Sequence, residues 1–274
     1  MSARLAIIIP SYRATFLRQA LDSLVAQTCQ DFKVYIGDDC SPQDLEAIIA
    51  PYKQWLDISY IRFDSNLGSI DLIAQWERCV ALSKTEDWFW LFSDDDVMEP
   101  QCVELFYHSL KEQPEAKLFH FDVTVIEGNG QKTNDPHYIK EDFPTCLSAN
   151  DFLRKRLTYS INSYIVEYVV RRDLFVQSGG YVRYPLAWCS DDATWHRLAK
   201  AAGGITTIKG ARVLWRKSDS NITPDRSKNV QRQKLKAVGQ HLRYCYSQLG
   251  ITSLPAIIRY YLHAIYQARS IFGL

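Results

Sequence analysis

The sequence lacks three features that would define its class at once: paired cysteines, a long apolar run and an excess of one charge. Its seven cysteines include no C-x-x-C pair, which argues against a disulfide framework or structural zinc and favours a reducing compartment. No apolar run reaches the ~20 residues of a membrane-spanning helix, and the run ending at Pro10 is too short for a signal peptide. With 32 Lys and Arg against 31 Asp and Glu, nothing favours nucleic-acid binding. We therefore expect a cytoplasmic protein that binds no nucleic acid.

The sequence does contain a regular alternation of strand-like and helix-like segments. Apolar, β-branched or aromatic runs occur at 5–10, 32–39, 58–64, 88–92, 116–128 and 211–217. Segments with apolar residues at helical spacing separate the first four runs, and another helix is predicted from Asp191 to a double glycine. This alternation predicts an α/β fold with a Rossmann-like, mostly parallel central sheet flanked by helices. From about residue 227 the pattern predicts two helices, separated near Gly250, as a C-terminal tail.

Polar residues follow each of the first four predicted strands. These segments are Pro10 to Arg13, Asp38 and Asp39, Asp64 to Asn66 with Gly68, and Asp94 to Asp96. Because ligands bind outside the carboxyl ends of the strands in such sheets, the four segments predict a binding site at one edge of the sheet.

The triplet Asp94-Asp95-Asp96 directly follows the apolar run "WFWLFS". A single aspartate would be enough at the N-terminus of the helix predicted from "EPQCVELFYHSL". Three adjacent carboxylates better suit Mn²⁺ or Mg²⁺, which needs few protein carboxylates when substrate phosphates supply other oxygen ligands. We therefore predict a site for a divalent cation and a diphosphate.

Two further pairs of aspartates allow two interpretations each. Asp38 is expected to form a polar turn, whereas Asp39 could accept a hydrogen bond from a base or a ribose hydroxyl. Asp191 and Asp192 open a helix in "SDDATWHRL". There they could stabilise the helix N-terminus or supply a carboxylate base.

The sequence also allows predictions for the positions of two histidines and an arginine. His196 and Arg197 follow one helical turn after the second aspartate pair and could face the same edge or lie in solvent. His120, in "LFHFD", is expected to be a hydrogen-bonded strand histidine rather than a ligand.

Together these motifs resemble glycosyltransferase family 2 of the GT-A fold, whose inverting members transfer sugars from nucleotide donors. The resemblance covers about residues 5–225 and rests on "IIIPSYRATFLRQALDSLVAQT", "FKVYIGDDCSP", "NLG", "WLFSDDDVMEP" and "LFVQSGGYVRYPLAWCSDDATWHRL". It implies a nucleotide-sugar-binding half at 1–115, an acceptor-binding and catalytic-base half at 116–226, and a helical extension at 227–274. It also implies a UDP-sugar donor, with a dTDP-sugar less favoured, and an oligosaccharide acceptor in bacterial O-antigen or capsule synthesis.

Carried over position by position, the resemblance implies roles for ten residues. The donor-binding residues are Pro10, Tyr12, Arg13, Asp39, Asn66, Gly68 and Asp94. Of these, Asp39 would accept a hydrogen bond from the N3–H of the base. Asp95 is the expected metal ligand, and Asp96 flanks it as a second candidate. Asp191 is the expected catalytic base, since Arg197 follows it at the family's six-residue spacing.

Two positions depart from the family pattern. Ser190 stands where many members have Glu before the catalytic aspartate, and Ser218 stands where many have a histidine metal ligand. These departures leave open a catalytically inactive subunit that binds a sugar nucleotide or a polysaccharide. A nucleotidyltransferase is not favoured, because "PSYRATF" lacks the glycine-rich loop that would hold a triphosphate.

The segment 254–274 combines apolar and aromatic residues with Arg259, His263 and Arg269. It could pack on the domain, form a homodimer contact, or lie peripherally on the inner face of the cell membrane. The last interpretation would suit an acceptor carried on polyprenyl diphosphate.

Overall fold

The computed structural model describes residues 5–217 and 227–269. These residues form an α/β fold around one mixed sheet of nine strands. The strands are β1 (Leu5–Ser11), β2 (Phe32–Asp38), β3 (Ile58–Arg62), β4 (Trp88–Leu91), β5 (Val97–Met98), β6 (Leu118–Ile126), β7 (Cys146–Leu147), β8 (Tyr168–Arg171) and β9 (Ile205–Arg216). Their order across the sheet is β3-β2-β1-β4-β8-β6-β9-β5, and β7 pairs with β9.

The helices pack on both faces of this sheet and extend beyond it at the C-terminal side. They are α1 (Leu17–Val25), α2 (Leu45–Ile49), α3 (Leu72–Val80), α4 (Cys102–Glu112), α5 (Ala149–Leu157), α6 (Arg172–Gln177), α7 (Ser190–Ala202), α8 (Lys228–Leu249) and α9 (Leu254–Gln267).

Strand β1 shows why the sheet is buried on both faces. Leu5, Ile7 and Ile9 pack into one apolar core, and Ala6 and Ile8 pack into a second core on the opposite face. Successive side chains of a strand point to opposite faces, so a run without polar residues needs apolar partners on both sides. The strand predicted from "LAIIIP" is confirmed.

The sheet is mostly parallel, as predicted. Strand β1 pairs in parallel with β2 and β4, β2 with β3, and β6 with β9. Strand β8 runs antiparallel between β4 and β6, so the two groups of parallel strands belong to one continuous sheet. The carboxyl ends of β1, β2 and β4 therefore meet at one edge.

Two elements differ from the sequence expectations. Val97–Met98 forms a strand paired with β9, and the helix expected from Glu99 begins only at Cys102. Strand β9 begins at Ile205 rather than near residue 211, because the β-branched run "ITTI" continues the ladder with β6. A register shift in that ladder follows Phe121.

The two predicted C-terminal helices are confirmed as α8 and α9. They pack through Val238, Leu242, Cys245 and Tyr260 on an apolar cluster that also includes Leu153 of α5. Among the described residues, the search for a helix long and apolar enough to cross a membrane found none.

Candidate active site

A cleft of about 630 Å³ opens at the carboxyl ends of β1, β2 and β4. A volume of this size is typical of small-molecule sites. The cleft is lined by all ten residues that the sequence analysis assigned to a site, namely Pro10, Tyr12, Arg13, Asp39, Asn66, Gly68, Asp94, Asp95, Asp96 and Asp191. The fold thus brings these residues together, while their individual roles stay predictions.

Asp39 holds the loop between β3 and α3 against the cleft. Its carboxylate accepts hydrogen bonds from the backbone N–H groups of Leu67, at 2.7 Å, and Gly68, at 2.8 Å, and from the guanidinium of Arg78. A Cβ at position 68 would lie 2.6 Å from the Asp39 carboxylate. The loop can approach so closely only because residue 68 is glycine.

Asp38 points away from the cleft and stabilises the turn after β2. It is fully buried, and it accepts hydrogen bonds from the Ser41 N–H at 2.7 Å, the Tyr60 hydroxyl at 2.6 Å and Arg62 Nη1 at 2.8 Å. These contacts agree with the turn-forming role that the sequence favoured for Asp38.

Asp94 joins the ends of β1 and β4. Its Oδ2 accepts hydrogen bonds from the Ser11 hydroxyl at 2.9 Å and from the N–H groups of Tyr12 and Arg13 at 3.0 and 3.2 Å. Burial, together with the neighbouring Asp95 charge, nevertheless raises the pKa of Asp94 to about 6. The carboxylate therefore sets the shape of the residue 11–13 turn at the cleft wall.

The other two aspartates of the triplet differ in their contacts. Asp95 accepts a hydrogen bond from the Ser93 hydroxyl at 2.5 Å through Oδ1, and burial raises its pKa. Asp96 is buried and accepts a hydrogen bond from the Arg216 N–H at 2.6 Å. It thereby connects the end of β4 to β9.

A divalent cation fits this triplet only with help from a substrate. Within residues 5–217 and 227–269, no group of three or more His, Cys, Asp or Glu side chains is arranged to hold a metal ion. Ser218, at the family's histidine position, lies outside the described residues. Asp95, with Asp96 beside it, fits a cation that takes its remaining ligands from a diphosphate and water.

Asp191 and Asp192 separate into two environments at the start of α7. Asp192 is buried and forms a two-point ion pair with Arg156 of α5, at 2.6 and 3.2 Å. Asp191 lines the cleft and accepts the Asp192 N–H at 2.9 Å, but no side chain in the described part of the chain donates to it. Burial, followed by the adjacent Asp192 charge, raises the pKa of Asp191 to about 7.

The segment before α7 has an unusual backbone. Leu186, Ala187 and Cys189 all have positive φ, at 58°, 55° and 60°, although none is glycine. A residue with a Cβ pays roughly 1–2 kcal/mol in this conformation, and such strain clusters at functional sites. All three residues line the cleft beside Asp191, so their conformation contributes to placing α7.

Neither His196 nor Arg197 faces the cleft or lies free in solvent. His196 is buried, with Nδ1 2.7 Å from the Tyr244 hydroxyl of α8, and Arg197 donates to the carbonyl of Gly180. The expectation for His120 was wrong in one respect. It is buried, but neither ring nitrogen has a partner in the described part of the chain, and the ring instead stacks on Phe143 at 3.8 Å.

Sequence reasoning missed several residues that form the cleft. Arg156, Tyr260 and the stacked pair Tyr164 and Trp215, 4.1 Å apart, all line it. Arg156 carried a readable signal, since it follows the buried Phe152 and Leu153 at helical spacing and a charged residue on an apolar helix face needs a buried partner. The aromatic residues and Tyr260 are distant in sequence and had no motif.

The sequence profile described as "Glycosyl transferase family 2" matches residues 6–165, which is more than half of the chain. A curated protein of Haemophilus influenzae, described as an uncharacterized glycosyltransferase, is 29% identical over 117 residues, or 42% of this chain and 37% of that protein. The matching segment therefore spans little more than a third of that relative.

Two solved structures have a similar fold. S. aureus TarS 1-349 in complex with UDP-GlcNAc has a TM-score of 0.61 at 13% identity, covering 97% of this chain and 81% of that chain. The mannosyltransferase PcManGT from Pyrobaculum calidifontis, in complex with GDP-Man and Mn²⁺, has a TM-score of 0.62 at 12% identity, covering 98% and 73%. In a longer TarS structure the match covers 39% of that chain. These likenesses confirm the expected GT-A fold.

Proposed function

Because the chain belongs to glycosyltransferase family 2, we propose that it moves a sugar from a UDP-sugar to a hydroxyl of a saccharide acceptor, with inversion at the anomeric carbon. One observation carries this proposal. Asp191 lies in the same cleft as the donor-side residues, and burial, followed by the adjacent Asp192 charge, raises the pKa of its carboxyl group to about 7. A base works best when its pKa lies near the working pH.

In the proposed reaction, Asp191 accepts the proton of the acceptor hydroxyl. The acceptor oxygen forms a bond to the anomeric carbon while the bond from that carbon to the diphosphate oxygen breaks, and UDP leaves with the electron pair. Attack from the side opposite the leaving group inverts the configuration. Asp192 cannot easily act as the base, because both of its oxygens are hydrogen-bonded to Arg156.

The donor side of the cleft supports a nucleotide diphosphate. Asp39 fixes the Asn66 to Gly68 loop through two backbone N–H groups, and Asp94 fixes Tyr12 and Arg13 at the opposite wall. Among nucleotides, a uracil base is favoured over thymine on the family resemblance. Asp39 would present its remaining acceptor capacity to the base, and Asp94 would face the ribose.

Asp95, with Asp96 beside it, would hold a divalent cation. When bound, Mn²⁺ or Mg²⁺ would neutralise the negative charge that develops on the leaving diphosphate. The environment of these two residues supports the assignment, because desolvation raises the pKa of the half-buried Asp95 and of the buried Asp96, and a cation would stabilise their charged forms.

The acceptor side supports a saccharide. Trp188 and the stacked Tyr164 and Trp215 line the cleft, and aromatic faces next to a few polar groups suit a ring that carries both C–H and hydroxyl surfaces. On the family resemblance, we propose that the reaction belongs to bacterial surface polysaccharide synthesis, O-antigen or capsule, and a relative from Haemophilus influenzae supports a bacterial setting. It would occur on the cytoplasmic side, with an oligosaccharide acceptor carried on polyprenyl diphosphate.

The test is hydrolysis of a panel of UDP-, dTDP- and GDP-sugars, with and without Mn²⁺. We expect Mn²⁺-dependent release of UDP, and a loss of roughly 10²–10⁴-fold in turnover for Asp191→Asn. The matched control is Asp151→Asn, which changes a first-turn aspartate of α5 that is 55% exposed and should leave turnover unchanged. Full activity in Asp191→Asn would contradict the base assignment. UDP binding without turnover on any donor or acceptor would instead favour an inactive binding subunit.

A further inference from the structure

Helix α9 is apolar on its outer face as well as its inner face. Tyr260 on the inner face packs on the cluster shared with α5 and α8. On the outer face Leu254, Ile258, Leu262 and Tyr266 recur every fourth residue and are 40–61% exposed. A continuous exposed apolar stripe of this kind marks an interaction surface.

The segment that contains this stripe has an extreme charge. Residues 227–274 include seven Lys and Arg and no Asp or Glu. The rest of the chain accordingly holds 25 basic and 31 acidic residues out of the totals of 32 and 31. The near-neutral net charge of the whole chain thus conceals a strongly basic C-terminal segment and an acidic remainder.

Most of this positive charge lies on one face of α8. Lys228, Arg232, Lys236 and Arg243 are all exposed, and their spacings of four, four and seven residues place them on one side of a helix with 3.6 residues per turn. The opposite side of α8 packs on the same apolar cluster as the inner face of α9. The basic face and the apolar stripe therefore both point away from one shared core.

We propose that α8 and α9 dock this protein on an anionic lipid bilayer, with the α9 stripe at the acyl boundary and the α8 basic face toward the headgroups. Apolar area together with basic residues is what binds a helix to such an interface. Within the described ranges no helix is long and apolar enough to cross a membrane. The proposed contact is one with the membrane surface. A second copy is a poorer partner for this face, because it would bring two exposed basic faces of α8 together.

The docking surface is connected to the cleft through α9 itself. Tyr260 lines the cleft, and its hydroxyl lies 3.7 Å from the Sγ of Cys189, two residues before Asp191. Docking would therefore place the cleft beside the bilayer. This consequence rests on the proposed function, under which an acceptor on polyprenyl diphosphate would be found there.

The test is flotation of the purified full chain with vesicles of phosphatidylcholine containing phosphatidylglycerol, compared with phosphatidylcholine alone. We expect binding to the anionic vesicles, and a loss of about tenfold or more both in Leu262→Asp and in the triple variant Arg232→Glu, Lys236→Glu, Arg243→Glu. The matched controls are Val176→Asp, at another exposed aliphatic residue, and the triple charge reversal of the exposed Lys53, Lys84 and Lys111. Both should bind like the wild type.

Two outcomes would overturn the docking proposal. One is equal binding of the wild type to neutral and anionic vesicles, or no binding to either. The other is a dimer in solution that Leu262→Asp converts to a monomer while vesicle binding is unchanged, which would assign the stripe to a second copy. Calorimetric binding of UDP by both variants checks their folding, and it separates failure of docking from failure of the glycosyltransferase assignment.

Discussion

The two pairs of adjacent aspartates in this protein share the Asp-Asp dipeptide, but their cleft-lining carboxylates have different environments. In each pair one carboxylate is held by an arginine from another element, Asp38 by Arg62 and Asp192 by Arg156. The other carboxylate of each pair lines the cleft, and these two carboxylates differ in their hydrogen bonds. Asp39 accepts two backbone N–H groups and Arg78, whereas Asp191 accepts one backbone N–H and no side chain in the described part of the chain.

This difference indicates which of the carboxylates in the cleft can take part in proton transfer. A carboxylate that accepts several hydrogen bonds is stabilised in its charged form and acts as a fixed acceptor. A buried carboxylate with few donors has a raised pKa, as Asp191 does at about 7, and can exchange a proton near neutral pH. The carboxylate on the donor side thus positions the backbone of the cleft wall, and the carboxylate on the acceptor side is the proposed base.

Breaking the ion pair behind the base should have the largest effect on the fold. Arg156→Met would leave the buried Asp192 without its partner, so we expect a loss of roughly 3–5 kcal/mol in the free energy of unfolding. Urea denaturation measures this loss. The matched control is Arg154→Met, since the Arg154–Asp151 pair is half-exposed and should cost less than about 1 kcal/mol. Equal losses in the two variants would mean that Arg156 does not hold Asp192 as described.

The donor side can be disturbed by a single methyl group. Gly68→Ala would push the loop away from Asp39, whose carboxylate lies 2.6 Å from the added Cβ. We expect UDP to bind about tenfold more weakly, which corresponds to roughly 1.4 kcal/mol, as measured by calorimetry. Gly239→Ala is the control, because a Cβ there meets nothing within 4 Å. Unchanged affinity in Gly68→Ala would separate this loop from nucleotide binding.

The predictability of this site from sequence follows from the same comparison. The strand-end motifs located Asp39 and Asp94, because a parallel sheet gathers the ends of its strands at one edge, whereas Asp191 was located by the family spacing to Arg197. The hydrogen-bond environments of these aspartates could not be predicted from the sequence, because the donors come from segments that are distant along the chain. Arg156 precedes Asp192 by 36 residues, and Arg78 follows Asp39 by 39.

The fold, like the site, was predicted only in part from the sequence. The alternation of strands and helices located β1 to β4 and the two C-terminal helices. It missed β5, β7, β8 and the first half of β9, because short strands and strands that follow a register shift are fixed by their pairing partners. The backbone N–H of Arg216 bound to Asp96 is one such pairing that no local pattern shows.

The pH dependence of stability should be the most gradual of these effects, because it is spread over several groups that titrate in turn. Burial raises the pKa of Asp191 to about 7, of Glu167 to about 8 and of Asp94 to about 6, well above the usual values of about 4 in an unfolded chain. Through these carboxyl groups the folded protein binds more protons than the unfolded chain between pH 8 and 6, and the buried His120, His196 and His241, whose pKa values are lowered by burial, offset part of this difference. The free energy of unfolding should rise as pH falls through this range, by up to about 1.4 kcal/mol per pH unit for each proton taken up.

Thermal melts without metal or nucleotide check this sign. The change in the free energy of unfolding per pH unit should be smaller in Asp191→Asn and in Glu167→Gln, and it should be unchanged in Asp151→Asn. Stability that increases from pH 6 to 8 would contradict the raised pKa values.

The most direct test of the central claim is the pH dependence of kcat/KM for the preferred UDP-sugar between pH 5.5 and 8.5. If Asp191 is the base, kcat/KM should rise about tenfold per pH unit at low pH and become constant above about pH 7, a value that corresponds to the raised pKa of this carboxyl group. The residual activity of Asp191→Asn should show no such rise. A flat wild-type profile, or an identical rise in Asp191→Asn, would contradict the account.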